Sequence, residues 1–321
     1  MTALLLTEAD VRELLDMESC IAAMEDVLDA LARDELSLPL RSMFAPPGEA
    51  LLGLMPAYRG GSDPVFALKE IVVAPANSGR GLDPHQGAVL LHDGVTGVLR
   101  AILNASAVTE IRTAAVSGVA TKLLARRGSR HVAILGAGIQ GRSHAEAMRA
   151  VLPELELRVW SRTPEHAEAL ALEAHGIACE TVEEALDGAD VVCTCTASRE
   201  PVVRREWLAP GTHLNAVGAS IPSARELDAD VVADASLFVD RRESTLNESG
   251  DYLRAVEERG IGPDHILAEL GELLTGTHPG RRDETELTVF KSLGIAVEDL
   301  AAAVLCVERA HERGIGTEVD F

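Results

Sequence analysis

Apolar positions recur along this chain first at helical and then at strand spacing, and the changes of period mark its parts. Thr7-Glu-Ala-Asp10 reads as a capping box opening a short helix through Leu15. Residues 18–33 predict a second helix, with Ile21, Met24, Val27, Leu28 and Leu31 on one stripe. Short apolar runs follow at 51–55, 65–73, 87–92 and 98–104, broken by Pro, Gly and Asn, with Asp93-Gly94 and Thr96-Gly97 as a hairpin turn. Residues 107–126 predict a long helix whose Thr113, Ala114, Ala115, Ser117, Gly118 and Ala120 give it a small-residue face. Beyond it, runs at 132–135, 156–160, 191–196, 213–217 and 237–240 alternate with helical or loop segments, as a parallel sheet requires. A last pattern, 286–313, reads as helix, with Val289, Leu293, Ala296, Val297, Leu300, Ala303 and Val304 apolar. It is expected to return to the first half and cover its sheet, its glutamates forming a solvated face.

The run at 132–135 leads straight into Gly136-Ala-Gly138-Ile139-Gln140-Gly141 and then into a helix pattern. In that strand–turn–helix setting G-x-G-x-x-G binds a dinucleotide. Gly136 permits the tight turn, Gly138 lets backbone approach the pyrophosphate, and Gly141 lets the helix lie close to the strand. The phosphates would rest on N–H groups at the helix start. The next strand ends in Ser161-Arg162-Thr163, where an acid would hold the ribose of NAD; none stands there. A guanidinium between two hydroxyls suits a 2′-phosphate, so the expected cofactor is NADPH, with NADH still open. The fold class is therefore α/β: a Rossmann-type domain over 127–292 and an α+β domain over 1–126, completed by 293–321.

The 321 residues carry 29 Lys and Arg against 51 Asp and Glu, a formal charge of -22. That balance argues against general binding to nucleic acid or to anionic membranes, and only 3% of residues are aromatic, which leaves few platforms for base stacking. Residues 1–6 are too few for a signal peptide, and no uncharged apolar run is long enough to span a bilayer. Five scattered cysteines show no zinc spacing and read as buried thiols in a reducing cytoplasm, with Cys193 and Cys195 on one side of a strand; no metal is expected.

Several charges need a partner. Lys69 interrupts the apolar strand PVFALKEIVV, and with Glu70 beside it one of the two must point inward. Arg112 lies between Ile111 and small residues in a helix built for burial, and Arg41 precedes the sheet. Each could hold a substrate carboxylate or complete an ordinary ion pair. His85, in the loop Pro84-His85-Gln86-Gly87, could meet a phosphate or the nicotinamide amide, or be a plain loop histidine; His213 reads as packing. Glu248-Ser249-Gly250-Asp251 could face a cleft or cap the next helix.

Taken together these stretches resemble the ornithine cyclodeaminase/mu-crystallin family over nearly the whole chain. The matching pieces are Met55-Pro56, Lys69, the loop 81–87, TEIRTAA at 109–115, GAGIQ at 136–140, NAVGAS at 215–220, ESGD at 248–251, AELGELLTG at 268–276 and FKSLGIAVEDLAAA at 290–303. The resemblance implies a two-domain subunit, a homodimer joined through the N-terminal sheet, and a small amino, imino or keto acid substrate whose carboxylate is clamped by Arg41, Lys69 and Arg112. It implies that Thr113, Gly138, Ile139, Gln140, Ser161–Thr163, Thr196, Val217 and Ser292 touch the dinucleotide, with His85 and Gln86 close to it. Ser220 stands where cyclodeaminases and the related alanine dehydrogenases usually carry Asp; it is placed with the cofactor-site residues, and an unactivated hydroxyl there is no base. The expected activity is therefore NADPH-dependent reduction of cyclic ketimines of the pyrroline- or piperideine-2-carboxylate type. The alternatives are amino-acid oxidation, as in alanine dehydrogenase or ornithine cyclodeaminase, and a non-catalytic NADPH-binding protein.

Overall fold

The computed structural model describes residues 2–48, 50–82 and 85–320, and of Pro75 and Ser78 the backbone alone. In chain order its strands and helices are β1 Thr2–Leu6, α1 Glu8–Leu14, α2 Met17–Ala32, β2 Leu36–Ser37, β3 Ser42–Phe44, β4 Leu51–Arg59, β5 Val65–Val73, β6 His85–Asp93, β7 Leu99–Asn104 and α3 Ala105–Leu124. Then come β8 His131–Leu135, α4 Ile139–Val151, β9 Glu156–Trp160, α5 Pro164–Glu173, β10 Ile177–Ala178, α6 Val182–Leu186, β11 Val191–Thr194, β12 His213–Ala216, α7 Ala229–Asp234 and β13 Ser236–Val239. The chain closes with α8 Arg242–Glu248, α9 Gly250–Arg259, β14 Ile266–Glu269, α10 Leu270–Leu274, β15 Thr288–Lys291, α11 Ala296–Arg313 and β16 Thr317–Asp320. It forms two compact units, Met1–Arg112 with Ile295–Phe321, and Thr113–Gly294.

The first unit is built on a sheet of order β16-β1-β7-β6-β5-β4-β2, with β3 also on β4. Strands β4 to β7 pair antiparallel, so alternate residues face opposite sides. On β5, Val65, Ala67, Lys69 and Ile71 are buried, whereas Phe66, Glu70 and Val72 are exposed. Helix α11 packs against β4, β5 and β6 and against α2, as its apolar stripe requires. The opposite face is largely apolar and, among the described residues, part-exposed: Pro56 pairs with Leu68, Leu68 with Leu90 and Tyr58 with Phe66 across the strands, Phe66 stays 48% exposed, and Glu70 is the exposed charge on this side of β5. At the hairpin, Asp93 accepts from the Val95 and Thr96 amides, which fixes the turn into β7.

The second unit is an all-parallel sheet of order β10-β9-β8-β11-β12-β15-β13-β14. Strands β11, β12, β13 and β15 are buried at every residue, as expected where both faces are covered. The order reverses between β8 and β11, and in open α/β sheets ligands bind at the carboxyl ends of the strands beside such a reversal.

Some expectations are corrected. The pattern 286–313 is not one helix: residues 288–291 form the central strand β15, Gly294 turns the chain at φ +73°, and α11 begins at Ala296. A short apolar run suits a fully buried strand as well as a helix, so periodicity alone does not separate them. The first residues form β1, between β16 and β7. His85 to Gly87 open β6 rather than lying in a loop, paired with Val73 to Ile71, because Gly87 allows close approach: a Cβ there would lie 2.0 Å from the Glu70 carbonyl oxygen. Asp83 and Pro84 of that loop lie outside the described residues. Cys193 is buried in β11, whereas β11 ends at Thr194 and Cys195 follows it, half-buried. Among the described residues no helix is long and apolar enough to cross a membrane.

Candidate active site

In the first unit Lys69 and Arg112 come together on one carboxylate. Lys69, 2% exposed on β5, places Nζ 2.8 Å from Asp299 Oδ2 and 3.3 Å from Thr109 Oγ1. Arg112, 3% exposed on α3, donates through Nε to Asp299 Oδ1 at 2.9 Å and through Nη1 to Glu298 Oε2 at 2.6 Å. Glu298 also accepts from the Ile295 amide, capping α11. Both acids lie in the first turn of α11, where the helix N-terminus favours negative charge. The glutamate expected on a solvated face is thus fully buried, because a guanidinium waits inside for it. Burial pulls the Lys69 ammonium down to about 8, against the opposing pull of Asp299.

The quartet balances two cations against two anions and fixes the direction of both cations. Arg41 precedes β3, whose first residue, Ser42, pairs with Leu54, next to Met55, which pairs with Lys69. His85 and Gln86 are exposed at the start of β6, where Ser106 Oγ donates to the His85 carbonyl.

In the second unit the glycine turn has the predicted geometry. Gly136 ends β8 at φ +107°, and a Cβ on it would lie 2.5 Å from the Cys195 carbonyl oxygen. A Cβ on Gly141 would lie 2.0 Å from the Gly136 carbonyl oxygen, so α4 sits as close to β8 as glycine allows. Gly138 differs: it is the N-cap of α4, carries no side-chain cap, and has nothing within 4 Å of its Cβ position. Ile139 is exposed beside it, and the Oε1 of Gln140 is buried with no hydrogen-bond partner. Uncapped amides, an open approach and an orphaned acceptor fit a bound dinucleotide.

Other expected contacts collect at the same carboxyl ends. The Gly136 amide bonds the Trp160 carbonyl at 2.8 Å, which joins the turn to Ser161, exposed Arg162 and Thr163 after β9. Thr196 follows β11; Val217 and Gly218 follow β12 and bond the Thr194 carbonyl at 3.1 Å each. Buried Ser292, after β15, bonds the Ala216 carbonyl at 3.0 Å, and Ser220 is half-buried two residues past Gly218. Thr113 is buried on α3 next to Arg112.

Sequence reasoning missed a buried charge network beneath these turns. Glu226, fully buried, accepts from Thr194 Oγ1 and the Gly218 amide on Oε2, and from the Thr196 amide and Oγ1 on Oε1. The Glu226 and Leu227 amides in turn donate to Asp251, which pairs with Lys291 Nζ at 3.0 Å. Asp251 therefore supports this network, while Ser249 caps α9. The available signal was a lone charge in an apolar run: Lys291 between Phe290 and Ser292 repeats the pattern of Lys69. A cavity of about 640 Å³ opens elsewhere on this unit among Glu200, Arg204, Asp228 and Asp234; no expected site residue lines it, and its Arg205 is paired with Asp234.

Residues 1–314 match the ornithine cyclodeaminase/mu-crystallin family. Among curated proteins, the ketimine reductase mu-crystallin of Mus musculus is 46% identical over 256 residues, 79% of either chain. Two solved structures superpose at a TM-score of 0.94. The Thermococcus litoralis Delta(1)-pyrroline-2-carboxylate reductase, in complex with NADH and L-proline, is 35% identical, covering 98% of this chain and 100% of that one. An archaeal alanine dehydrogenase dimer with bound NAD is 31% identical, with both chains covered in full.

Proposed function

Because the chain belongs to the ornithine cyclodeaminase/mu-crystallin family, we propose that it is an NADPH-dependent reductase of cyclic ketimines, of the pyrroline- or piperideine-2-carboxylate type. The observation that carries the substrate half is the buried pair Lys69 and Arg112, oriented by Asp299 and Glu298. The third cation of the expected clamp, Arg41, would act with them on the substrate carboxylate. Arg112 and Arg41 would grip it, since guanidinium forks match carboxylate oxygens. When bound, the dinucleotide supplies the hydride, delivered to C2. A protonated cyclic imine is already electrophilic, so no strong base is needed, and Ser220 in place of an Asp weighs against the amino-acid oxidation route. Lys69 would keep the ring nitrogen protonated as it becomes an amine.

For the cofactor, exposed Arg162 between Ser161 and Thr163 supports NADPH. The experiment is dinucleotide oxidation with pyrroline-2-carboxylate, piperideine-2-carboxylate and pyruvate plus amines, run with NADPH and with NADH. Arg162→Ala is expected to lower kcat/KM for NADPH by roughly 10–100-fold, the worth of a charge-assisted hydrogen bond, and to leave NADH within about threefold. Preference of the wild type for NADH would overturn the reading of Arg162. Tight NADPH binding without turnover on this panel would decide for a non-catalytic protein.

The largely apolar, part-exposed face of the first unit, around Leu68 and Phe66, supports a homodimer in which a second copy covers it. Sedimentation is expected to give twice the 34.0 kDa chain mass, and Leu68→Glu to give monomer. A wild-type monomer would remove this part of the reading. Buried free Cys20, Cys193 and Cys306 suit a reducing compartment, and we place the protein in the cytoplasm.

A further inference from the structure

We propose that Glu226 is a positioning residue that also sets the preference of the site for the oxidised over the reduced dinucleotide. The proposal rests on the dinucleotide reading above. A carboxylate has about four acceptor positions, and in Glu226 all four are taken by donors: Thr194 Oγ1, the Thr196 amide, Thr196 Oγ1 and the Gly218 amide, at 2.6 to 2.7 Å. Two of the donors, the Thr196 and Gly218 amides, sit one on each oxygen and can only donate, which favours the ionised carboxylate against the burial that pushes its pKa up.

These donors belong to the turns that leave β11 and β12, beside the point where the strand order reverses. The turns are pressed together: a Cβ on Gly218 would lie 2.0 Å from the Thr196 carbonyl oxygen and 2.6 Å from Glu226 Oε1. Glu226 thus fixes the backbone at Thr196 and Val217, both expected to meet the dinucleotide.

The charge has a second consequence. Among the described residues, buried Glu226 and Asp251 share one paired cation, Lys291, so with both carboxylates ionised the network carries one net negative charge under the carboxyl ends of β11 and β12. Oxidised nicotinamide is a cation and reduced nicotinamide is neutral. A fixed buried anion stabilises the first over the second, and so favours giving up the hydride.

The test is calorimetric titration of the full-length protein with NADP+ and with NADPH at pH 8. In Glu226→Gln, which keeps the shape and removes the charge, the affinity ratio is expected to shift away from NADP+ by roughly tenfold, the order of one unit charge acting through protein at an effective dielectric of about 20. Lys291→Gln can still donate to Asp251 but adds to the net negative charge, and is expected to shift the ratio towards NADP+. Equal weakening of both forms in Glu226→Gln would make its role only structural and overturn the proposal. If that variant does not fold, the sign of the Lys291→Gln shift decides, and an unmoved or reversed ratio overturns it. Wild-type protein that binds neither form would instead overturn the dinucleotide reading itself.

Discussion

Lys69→Ala is expected to lower kcat/KM for a cyclic ketimine by about 10³-fold, within the range of a lost proton-transfer group, while dinucleotide affinity stays within about threefold. Lys69 belongs to the first unit and the glycine turn to the second, which is why the two readouts separate. The variant also leaves Asp299 to the Arg112 guanidinium. Breaking a buried ion pair outright costs about 3–5 kcal/mol, and the retained Arg112 bond keeps the expected loss near the lower end. Near-normal turnover would refute the assignment of Lys69 to the substrate. The same lysine sets a pH dependence. Burial lowers its ammonium to about 8 from the ordinary 10.5, so above pH 8 the folded protein loses the positive charge and the proton. kcat/KM is expected to fall on that alkaline side, and Lys69→Arg to move the fall upward. Between those two pH values the unfolded lysine stays protonated and the folded one does not, so this contribution to stability rises with pH. A flat profile from pH 7 to 10 would exclude Lys69 as the titrating group.

Gly141→Ala and Gly138→Ala are expected to part company, although they lie in the same turn. Inside a helix alanine is the better former by up to about 1 kcal/mol, so propensity favours the change at 141, whereas at 138, the N-cap, glycine is slightly preferred. At position 141 the new methyl would overlap the Gly136 carbonyl oxygen, and relief requires moving α4 away from β8. That variant is expected to lose roughly 1–3 kcal/mol or more of stability, seen as a lower Tm, together with dinucleotide binding. At position 138 the methyl meets nothing of the protein, so Tm is expected to hold while Kd for the dinucleotide rises at least about tenfold. A Gly138→Ala protein that binds as the wild type would show that nothing approaches this backbone.

The two glycines also show how far the chain could be read in advance. The turn was legible because each of its requirements is local: positive φ at Gly136, tight helix packing at Gly141, open approach at Gly138. The helices with capping boxes and single stripes were legible for the same reason. Residues 288–291 were not, since a central strand buried on both faces has no alternation to reveal it. Lys69 announced itself by interrupting an apolar strand, but its anionic partner, Asp299, lies 230 positions away on α11 and no local rule names it. Glu226 gave no signal at all, because its role exists only where β11 and β12 run side by side.

Local chemistry in the sequence determined the glycine turn, the hydroxyl–arginine loop after β9, the alternation of strands with helices, and the need of three cations for anions. Tertiary structure decided which anions Lys69 and Arg112 met, placed β15 inside a sheet, and buried Glu226 and Asp251 with Lys291 beneath the turns. The reason is physical: backbone conformation and periodicity depend on neighbours in the chain, whereas the fate of a buried charge depends on whatever residue the fold brings opposite it.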